Sequence, residues 1–491
     1  LEIVEALESD GSADAPPPAE LYSFSQLEQL ARALAEKQQL APASRWKGDR
    51  LLPRLKANEI ALRDAHALLT EAVKRGRRVT PAAEWLIDNY HLIEEQIRTA
   101  RKHLPAGYNR ELPRLARAEG TSVPRVYGLA LDLVSHSHGH LDIEGLRAFV
   151  VSYQTVQTLR LGELWAIPIM LRLSLIENLR RVVASVTAGR NEREEAGRWV
   201  DRMIQTAASA PARVVLVLAE MVRANPPLTN AFAAELASRL QGHAQLLFAM
   251  SWVEQRLAER GETLEHVFQL VSQSQAADQV SIGNCIGSLR LLGATDWRVF
   301  VEAMSAVEKR LAADPAGSYL KMDFATRDRY RHVVEEIARG SALGEEKVAE
   351  AALALAREGV ERASHVGYFL IGEGRTELEQ AAKMRLPFSL RFRRATSRAR
   401  YAVYAGSILA LTATGALALL QSAEKCGLPR TWRPLAALLF AFVASQLAIA
   451  IVHLCATLIA HPRLLPRLDF SHGIPPEHQT SVAVPALLLD A

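Results

Sequence analysis

Three imidazoles stand within five residues, His136-Ser137-His138-Gly139-His140, a density that could hold Zn or Ni. The competing reading is a helix end. Leu129 to Ser135 runs into a glycine-containing turn, where His and Ser sit in solvent. No carboxylate or cysteine stands beside the three histidines at an established ligand spacing, so a solvated turn is expected and no metal ligand is assigned. Ile371-Gly372-Glu373-Gly374-Arg375 has two glycines but no preceding strand and no full dinucleotide fingerprint, so it is not read as a phosphate cradle. Asp323 to His332 is dense in polar groups. Arg327, Arg329 and Arg331 cannot all face one side of a helix, so a capped helix with salt-bridged flanks is expected, with an anion or partner site as the alternative. Cys285, Cys426 and Cys455 form neither a disulfide framework nor a ligand set, which points to a reducing compartment for the globular part. There is no nucleophile elbow, P-loop, HExxH or CxxC, and no catalytic or cofactor-binding residue is assigned.

The elements that would position these groups are helical. From Tyr22 to about Gln380, Ala, Leu, Arg and Glu dominate and strand-like alternation is rare. Thr80-Pro81 opens a helix with Glu84 close behind, and Trp85, Tyr90, Leu92, Ile93 and Ile97 are expected largely on one side of it. Asp142 caps a second helix carrying Ile143, Leu146 and Val150. A third, Asp323 to Arg339, has an apolar stripe of Tyr330, Val333, Val334 and Ile337, with Arg331 and Glu335 spaced to pair. Breaks are expected at Pro105, Gly120, Pro124, Gly139, Gly189, Pro211, Pro226, Gly261, Pro315 and Gly340. Pro168, inside a helical pattern, predicts a kink or restart, with Trp165 in the core. No clean repeat period emerges, so an irregular helical array is expected rather than a solenoid.

The 491 residues suffice for several domains, and 49% apolar with 23% charged residues excludes a wholly disordered chain. A net charge of +4 is small for a general nucleic-acid binder, and no nucleic-acid partner is expected. Mean hydropathy of +0.01 is high for so many charges. The apolar residues concentrate in two runs, Tyr401 to Ala423 and Pro434 to Ala460, each longer than the ~20 residues a spanning helix needs. Arg391, Arg393, Arg394, Arg398 and Arg400 precede the first run, Lys425, Arg430 and Arg433 lie between, and Arg463 and Arg467 follow. The leading arginine cluster predicts cytoplasmic ends for both flanks and contact with lipid headgroups. Ala402/Gly406 and Ala444/Ala448 are spaced for close helix approach. Gln446 and His453 share a face, where a structural hydrogen bond is expected.

Residues 1–20 are acidic and Pro-rich, read as a disordered tail with no signal peptide, and Val482 to Leu489 reads as a buried strand, the first in the chain. With Leu rather than Met at its start and this strand at its end, the sequence is expected to be a piece of something longer.

Several strings carry a resemblance: Pro81-Ala-Ala-Glu-Trp-Leu-Ile-Asp-Asn-Tyr-His-Leu-Ile-Glu-Glu-Gln-Ile-Arg98; Gly107-Tyr108 with Arg110-Glu111-Leu112-Pro113; Gly162-Glu-Leu-Trp-Ala-Ile-Pro168; Met322-Asp-Phe-Ala-Thr-Arg-Asp-Arg-Tyr-Arg-His332; and His365-Val-Gly-Tyr-Phe-Leu-Ile371. In order and spacing the chain, from about Tyr22 to Leu489, resembles the N-terminal region of bacterial cyclic β-1,2-glucan synthases. The resemblance implies a large inner-membrane protein. In it a glycosyltransferase domain uses UDP-glucose and a divalent metal to extend and cyclise a protein-borne glucan, and a phosphorylase-like domain trims chain length. Both domains would be partners within the same full-length protein and are absent from this sequence, which is expected to be inactive alone. On this reading Gln446 and His453 have an alternative role, lining a sugar-conducting path.

The expected architecture is all-α: an irregular helical cytoplasmic domain over 21–390, a basic juxtamembrane segment over 391–400 and transmembrane helices over 401–423 and 434–460. A linker and the truncated first strand of an α/β transferase follow over 461–491. The alternative functions are a membrane-anchored helical scaffold without enzymatic activity and a metal sensor built on His136, His138 and His140.

Overall fold

The computed structural model describes residues 22–41, 51–104, 112–116, 123–385, 400–459, 465–471 and 473–479. The regular elements among them are helices, and strand pairing is confined to the isolated bridges Leu40–Leu115, Arg114–Pro124 and Met322–Leu468. The chain divides into two units, Leu1–Ser305 and Ala306–Ala491. The strand expected over Val482 to Leu489, the acidic tail and Arg391 to Arg398 lie outside the described residues.

The first unit contains α1 (Phe24–Lys37), α2 (Leu51–Lys74), α3 (Pro81–His103), α4 (Arg125–His136), α5 (Ile143–Gln154), α6 (Leu161–Ser209), α7 (Val214–Ala224), α8 (Asn230–Leu240), α9 (Leu247–Ala258), α10 (Leu264–Ala294) and α11 (Trp297–Met304). Short polar side chains start many of them. Ser23, Thr80, Asp142, Thr229, Thr263 and Asp296 each accept a hydrogen bond from a backbone N–H of the first turn, an N-cap commonly worth about 1 kcal/mol. On α3 the buried face is Ala82, Leu86, Ile93, Ile97 and Ala100. Trp85, expected on it, is 43% exposed, and Tyr90 and Leu92 are half-buried.

Helix α6 overturns the expected break at Gly189 and the restart allowed for at Pro168. It runs through both Pro168 and Gly189 for 49 residues, about 73 Å at 1.5 Å per residue. Pro168 cannot donate to the Leu164 carbonyl, yet every residue from Ile169 to Leu179 is buried, and packing on all sides holds the helix where its own ladder is weakened. Gly189 fits inside the helix at the ordinary glycine cost of about 1 kcal/mol relative to Ala. The expected breaks at Pro124, Gly139, Pro211, Pro226, Gly261, Pro315 and Gly340 do fall at helix ends, whereas Pro105 and Gly120 lie outside the described residues.

Helices α6 and α10 are shared by two apolar cores. The first gathers α1–α5, α6 as far as Val186, the Ile282–Leu292 stretch of α10, and α11. The second gathers α6 from Ala196, α7–α9 and Val267 of α10. Between them both long helices turn polar, over Thr187–Glu195 and Ser272–Gln279, so the unit has a polar waist.

Ion pairs are also buried in the first core. Arg125 donates to both oxygens of Glu163, with both side chains almost fully enclosed, and Glu163 also accepts from the Arg160 N–H at 2.9 Å. Glu177 accepts from Arg54 at 3.1 and 3.2 Å, Asn58 at 2.6 Å and Arg180 at 3.0 Å.

The second unit contains α12 (Ala306–Leu311), α13 (Phe324–Gly340), α14 (Glu345–Glu358), α15 (Val366–Leu370), α16 (Arg375–Ala381), α17 (Arg400–Lys425) and α18 (Arg433–Ile459). Tyr330, Val333, Val334 and Ile337 form the expected buried stripe of α13. Helices α17 and α18 pack as an antiparallel pair, and both are long and apolar enough to cross a membrane. Their close approach uses Ala444 and Ala448, as expected, with Gly415 opposite. A Cβ at Gly415 would lie 3.1 Å from that of Ala444. Ala402 and Gly406 are exposed instead.

Glu177 generates a pH prediction. Burial alone would raise its pKa, but Arg54, Arg180 and Asn58 outweigh that and hold it at about 2. The unfolded chain binds this proton near pH 4.5, so the stabilisation is complete above that pH and is lost as pH falls towards 2. It amounts to about 3 kcal/mol. Urea midpoints followed from pH 6 to pH 2 should fall less steeply in Glu177→Gln than in the parent, and identical slopes would contradict the assignment.

Candidate functional site

The histidine cluster forms a structural corner seated on α10 rather than a freely solvated loop. His136 ends α4 with its Nδ1 donating to the Asp132 carbonyl at 2.8 Å, and its ring leans on Tyr22. His138 takes a left-handed backbone with φ +48°, half-buried, while His140 is exposed. Among the described residues no three His, Cys, Asp or Glu side chains gather as a metal site. The turn instead seats on α10. Ser288 Oγ donates to the Gly139 carbonyl at 2.7 Å and accepts from the Leu141 N–H at 2.8 Å, and Asn284 donates to the His138 carbonyl. Gly139 has φ +76°, and a Cβ there would fall 2.3 Å from Cys285 Sγ. Burial pushes the Cys285 thiol up to about 12, so it packs as an unreactive group.

The two distal motif strings meet in the second unit. Asp314, fully enclosed, accepts from His365 Nδ1 at 2.8 Å, from the Val366 N–H at 2.9 Å and from the Tyr319 N–H at 3.2 Å. Burial works to raise its pKa, but these donors hold it below the usual carboxylate range. With Nδ1 so engaged, a neutral His365 accepts at Nε2 from Tyr330, 3.3 Å away. The Asp–His–Tyr line has the form of a proton relay. Tyr330 is only 1% exposed, however, and burial pushes its pKa up to about 12, so it is a neutral phenol that no substrate reaches. The line is a tie between α13 and the turn before α15.

Beside it Glu308 of α12 accepts from Arg331 at 2.6 Å, Arg327 at 2.8 Å and the Tyr319 hydroxyl at 2.5 Å. Arg331 is fully buried, with Asp328 at 3.1 Å as its second carboxylate. The expected Arg331–Glu335 pair therefore does not form, and Glu335 takes Arg339 instead. Arg327 and Arg331, one turn apart, converge on the same acid from a different helix.

A short segment beyond α18 closes onto the same body. Arg467, Leu468 and Asp469 run antiparallel to Lys321, Met322 and Asp323. The Asp323 N–H donates to the Arg467 carbonyl at 3.0 Å, and the Asp469 N–H to the Lys321 carbonyl at 2.8 Å. The Arg467 N–H donates to Thr326 Oγ1 at 3.0 Å. On the other flank of the hairpin the Arg385 N–H donates to the Gly340 carbonyl at 2.8 Å. Both flanks of the α17–α18 pair are thus fastened to one helical body.

Along the pair itself, Tyr404 of α17 hydrogen-bonds His453 of α18 with their rings stacked, which is the structural bond expected of His453. Gln446 is exposed and does not join it. Arg433 pairs with Glu424 at 2.9 Å across the connecting loop, a counter-charge that the count of basic residues there passed over.

No protein-family model matches the chain. The cyclic beta-(1,2)-glucan synthase NdvB of Rhizobium meliloti (strain 1021) is 32% identical over 444 residues, which are 89% of this chain and 15% of that protein. The resemblance carried by the motif strings is therefore borne out: the chain is homologous to a region of a cyclic β-1,2-glucan synthase. It spans 15% of the length of that relative.

The corner generates a stability prediction. Gly139→Ala combines left-handed strain with a clash against Cys285, whereas Gly76→Ala, at φ +68° with nothing within 4 Å, meets the strain alone. That strain is about 1–2 kcal/mol. Gly139→Ala should lower the thermal midpoint clearly more than Gly76→Ala, and equal shifts would remove the close approach to α10 from the account.

Proposed function

We propose that this chain is the N-terminal, membrane-anchoring part of a cyclic β-1,2-glucan synthase, with its helical body on the cytoplasmic face of the inner membrane and α17–α18 crossing as a hairpin. The observation that carries this reading is the fastening of both flanks. A chain that leaves a body and crosses a bilayer once cannot return to it, whereas two crossings bring it back to the same side. The hairpin also presents its apolar side chains outward, with Leu438, Phe442 and Leu458 each at least 66% exposed, as suits lipid rather than a protein core. The arginines at 391, 393, 394, 398 and 400 favour the cytoplasmic side for both flanks.

In this reading the chain contributes position rather than bond-making. UDP-glucose and a divalent metal are assigned to the transferase part of the parent, as the resemblance implies. The glycosyltransferase and phosphorylase domains are its partners within one protein, and lipid is its partner outside it.

Two measurements test the proposal. Alkaline phosphatase fused at Gly427 should be active in the periplasm and inactive when fused at Phe470; activity at Phe470 would rule out the hairpin. The purified chain given labelled UDP-glucose should acquire no protein-bound glucan, and labelled protein would mean that the chain holds transferase chemistry of its own.

A further inference from the structure

The polar waist of the first unit opens into two clefts, of about 270 and 960 Å³, that share Thr80, Val186 and Arg193 in their walls. The larger has the size of a small-molecule site. Six guanidiniums line it, from Arg77, Arg78, Arg190, Arg193, Arg198 and Arg239, against the carboxylates of Glu194, Asp201 and Glu235. That is a surplus of three positive charges. The pairing shows where the surplus falls. Arg239 engages both Asp201 and Glu235, whereas Arg77 and Arg190 share Glu194 alone. Arg78, Arg193 and Arg198 make no ion pair or hydrogen bond among the described residues. Arg193 is half-buried, and burial lowers its pKa although Glu235, Glu192 and Asp278 act against that from beyond ion-pair distance, which marks a cation only partly compensated.

We propose that this larger cleft binds a small soluble polyanion of the diphosphate or polyphosphate class, held by Arg193 at its floor and by Arg78 and Arg198 at its rim. Guanidinium forks match phosphate oxygens, and a half-buried arginine with no hydrogen-bonded carboxylate gains most from such a partner. Among the described residues no aromatic ring lines either cleft to stack a sugar or base, and recognition rests on the phosphates. The smaller cleft repels the ligand. It carries Asp278, which makes no hydrogen bond among the described residues and feels Arg193 only at longer range, and Glu192, which accepts from Thr229 at 2.7 Å. This inference stands independently of the anchoring role.

The test is titration of inorganic pyrophosphate into the full chain in phosphatidylcholine discs, at constant ionic strength set with chloride. Saturable binding at one site is expected. Arg193→Gln should weaken it about tenfold or more, as loss of a charge-assisted contact does, and Arg78→Gln with Arg198→Gln should do the same. Asp278→Asn should tighten it about two- to fourfold by removing a like charge. Arg298→Gln, a surface control, should leave it unchanged. None of the three cleft arginines hydrogen-bonds another side chain among the described residues, so circular dichroism should be unaltered. Should Arg193→Gln misfold, the rim pair still carries the test. Absence of saturable binding, an Arg193→Gln effect within twofold, or an equal loss in the control would overturn the proposal. Weaker pyrophosphate binding in discs containing phosphatidic acid would assign the site to a lipid headgroup and overturn the soluble assignment; unchanged binding supports it.

Discussion

A helix satisfies its backbone hydrogen bonds internally and can therefore be buried on every side without stranding a polar backbone group. The first unit depends on that property at α6. Where α6 has no solvent face, its polar side chains must find partners on the helices around it. Arg172 reaches Gln96 of α3 at 2.7 Å, Glu177 takes Arg54 and Asn58 of α2, and Asn178 reaches Ser281 of α10 at 3.1 Å. Apolar burial supplies most of the cohesion, but it is non-directional. These few polar contacts are what give each surrounding helix one angular setting, because an unpaired alternative would leave a charge or amide buried alone.

The same rod explains why the unit has two cores and a waist. Apolar positions stop near Val186 and resume at Ala196, and α10 changes character over the corresponding stretch. A continuous core across that level would have to bury Arg190, Arg193 and Glu194. Separating the two cores leaves those side chains in a cleft, where water and counter-charges reach them.

What was legible in the sequence was local. Thr80-Pro81, Asp142 and Asp323 announce helix starts because a cap is made within four residues. The α17–α18 pair is legible from its length and lack of charge. The continuity of α6 was not: Pro168 left a kink or a restart open and Gly189 read as a break, and tertiary burial decides against the restart and the break. Arg331 looked like an outward partner for Glu335, since nothing nearby in sequence reveals that Glu308, 23 residues upstream, waits in the core. The strings that carried the resemblance turn out to hold buried polar contacts: Gln96, Glu163, Arg331 and His365 all bond across elements.

The bond between Arg467 and Thr326 joins residues 141 positions apart, with the whole hairpin enclosed in the loop. Closing so long a loop carries an entropic cost that shorter contacts do not, and its last strand leaves the ribosome only after both apolar helices have been made. Maturation of the second unit is thus ordered in time. Its helices can assemble early from local contacts, but the edge at Lys321–Asp323 stays unpaired until the hairpin has been delivered and the chain has come back. Completion of the fold then depends on the hairpin: until the two apolar helices lie side by side and the chain has returned, the body keeps an open edge at Lys321–Asp323.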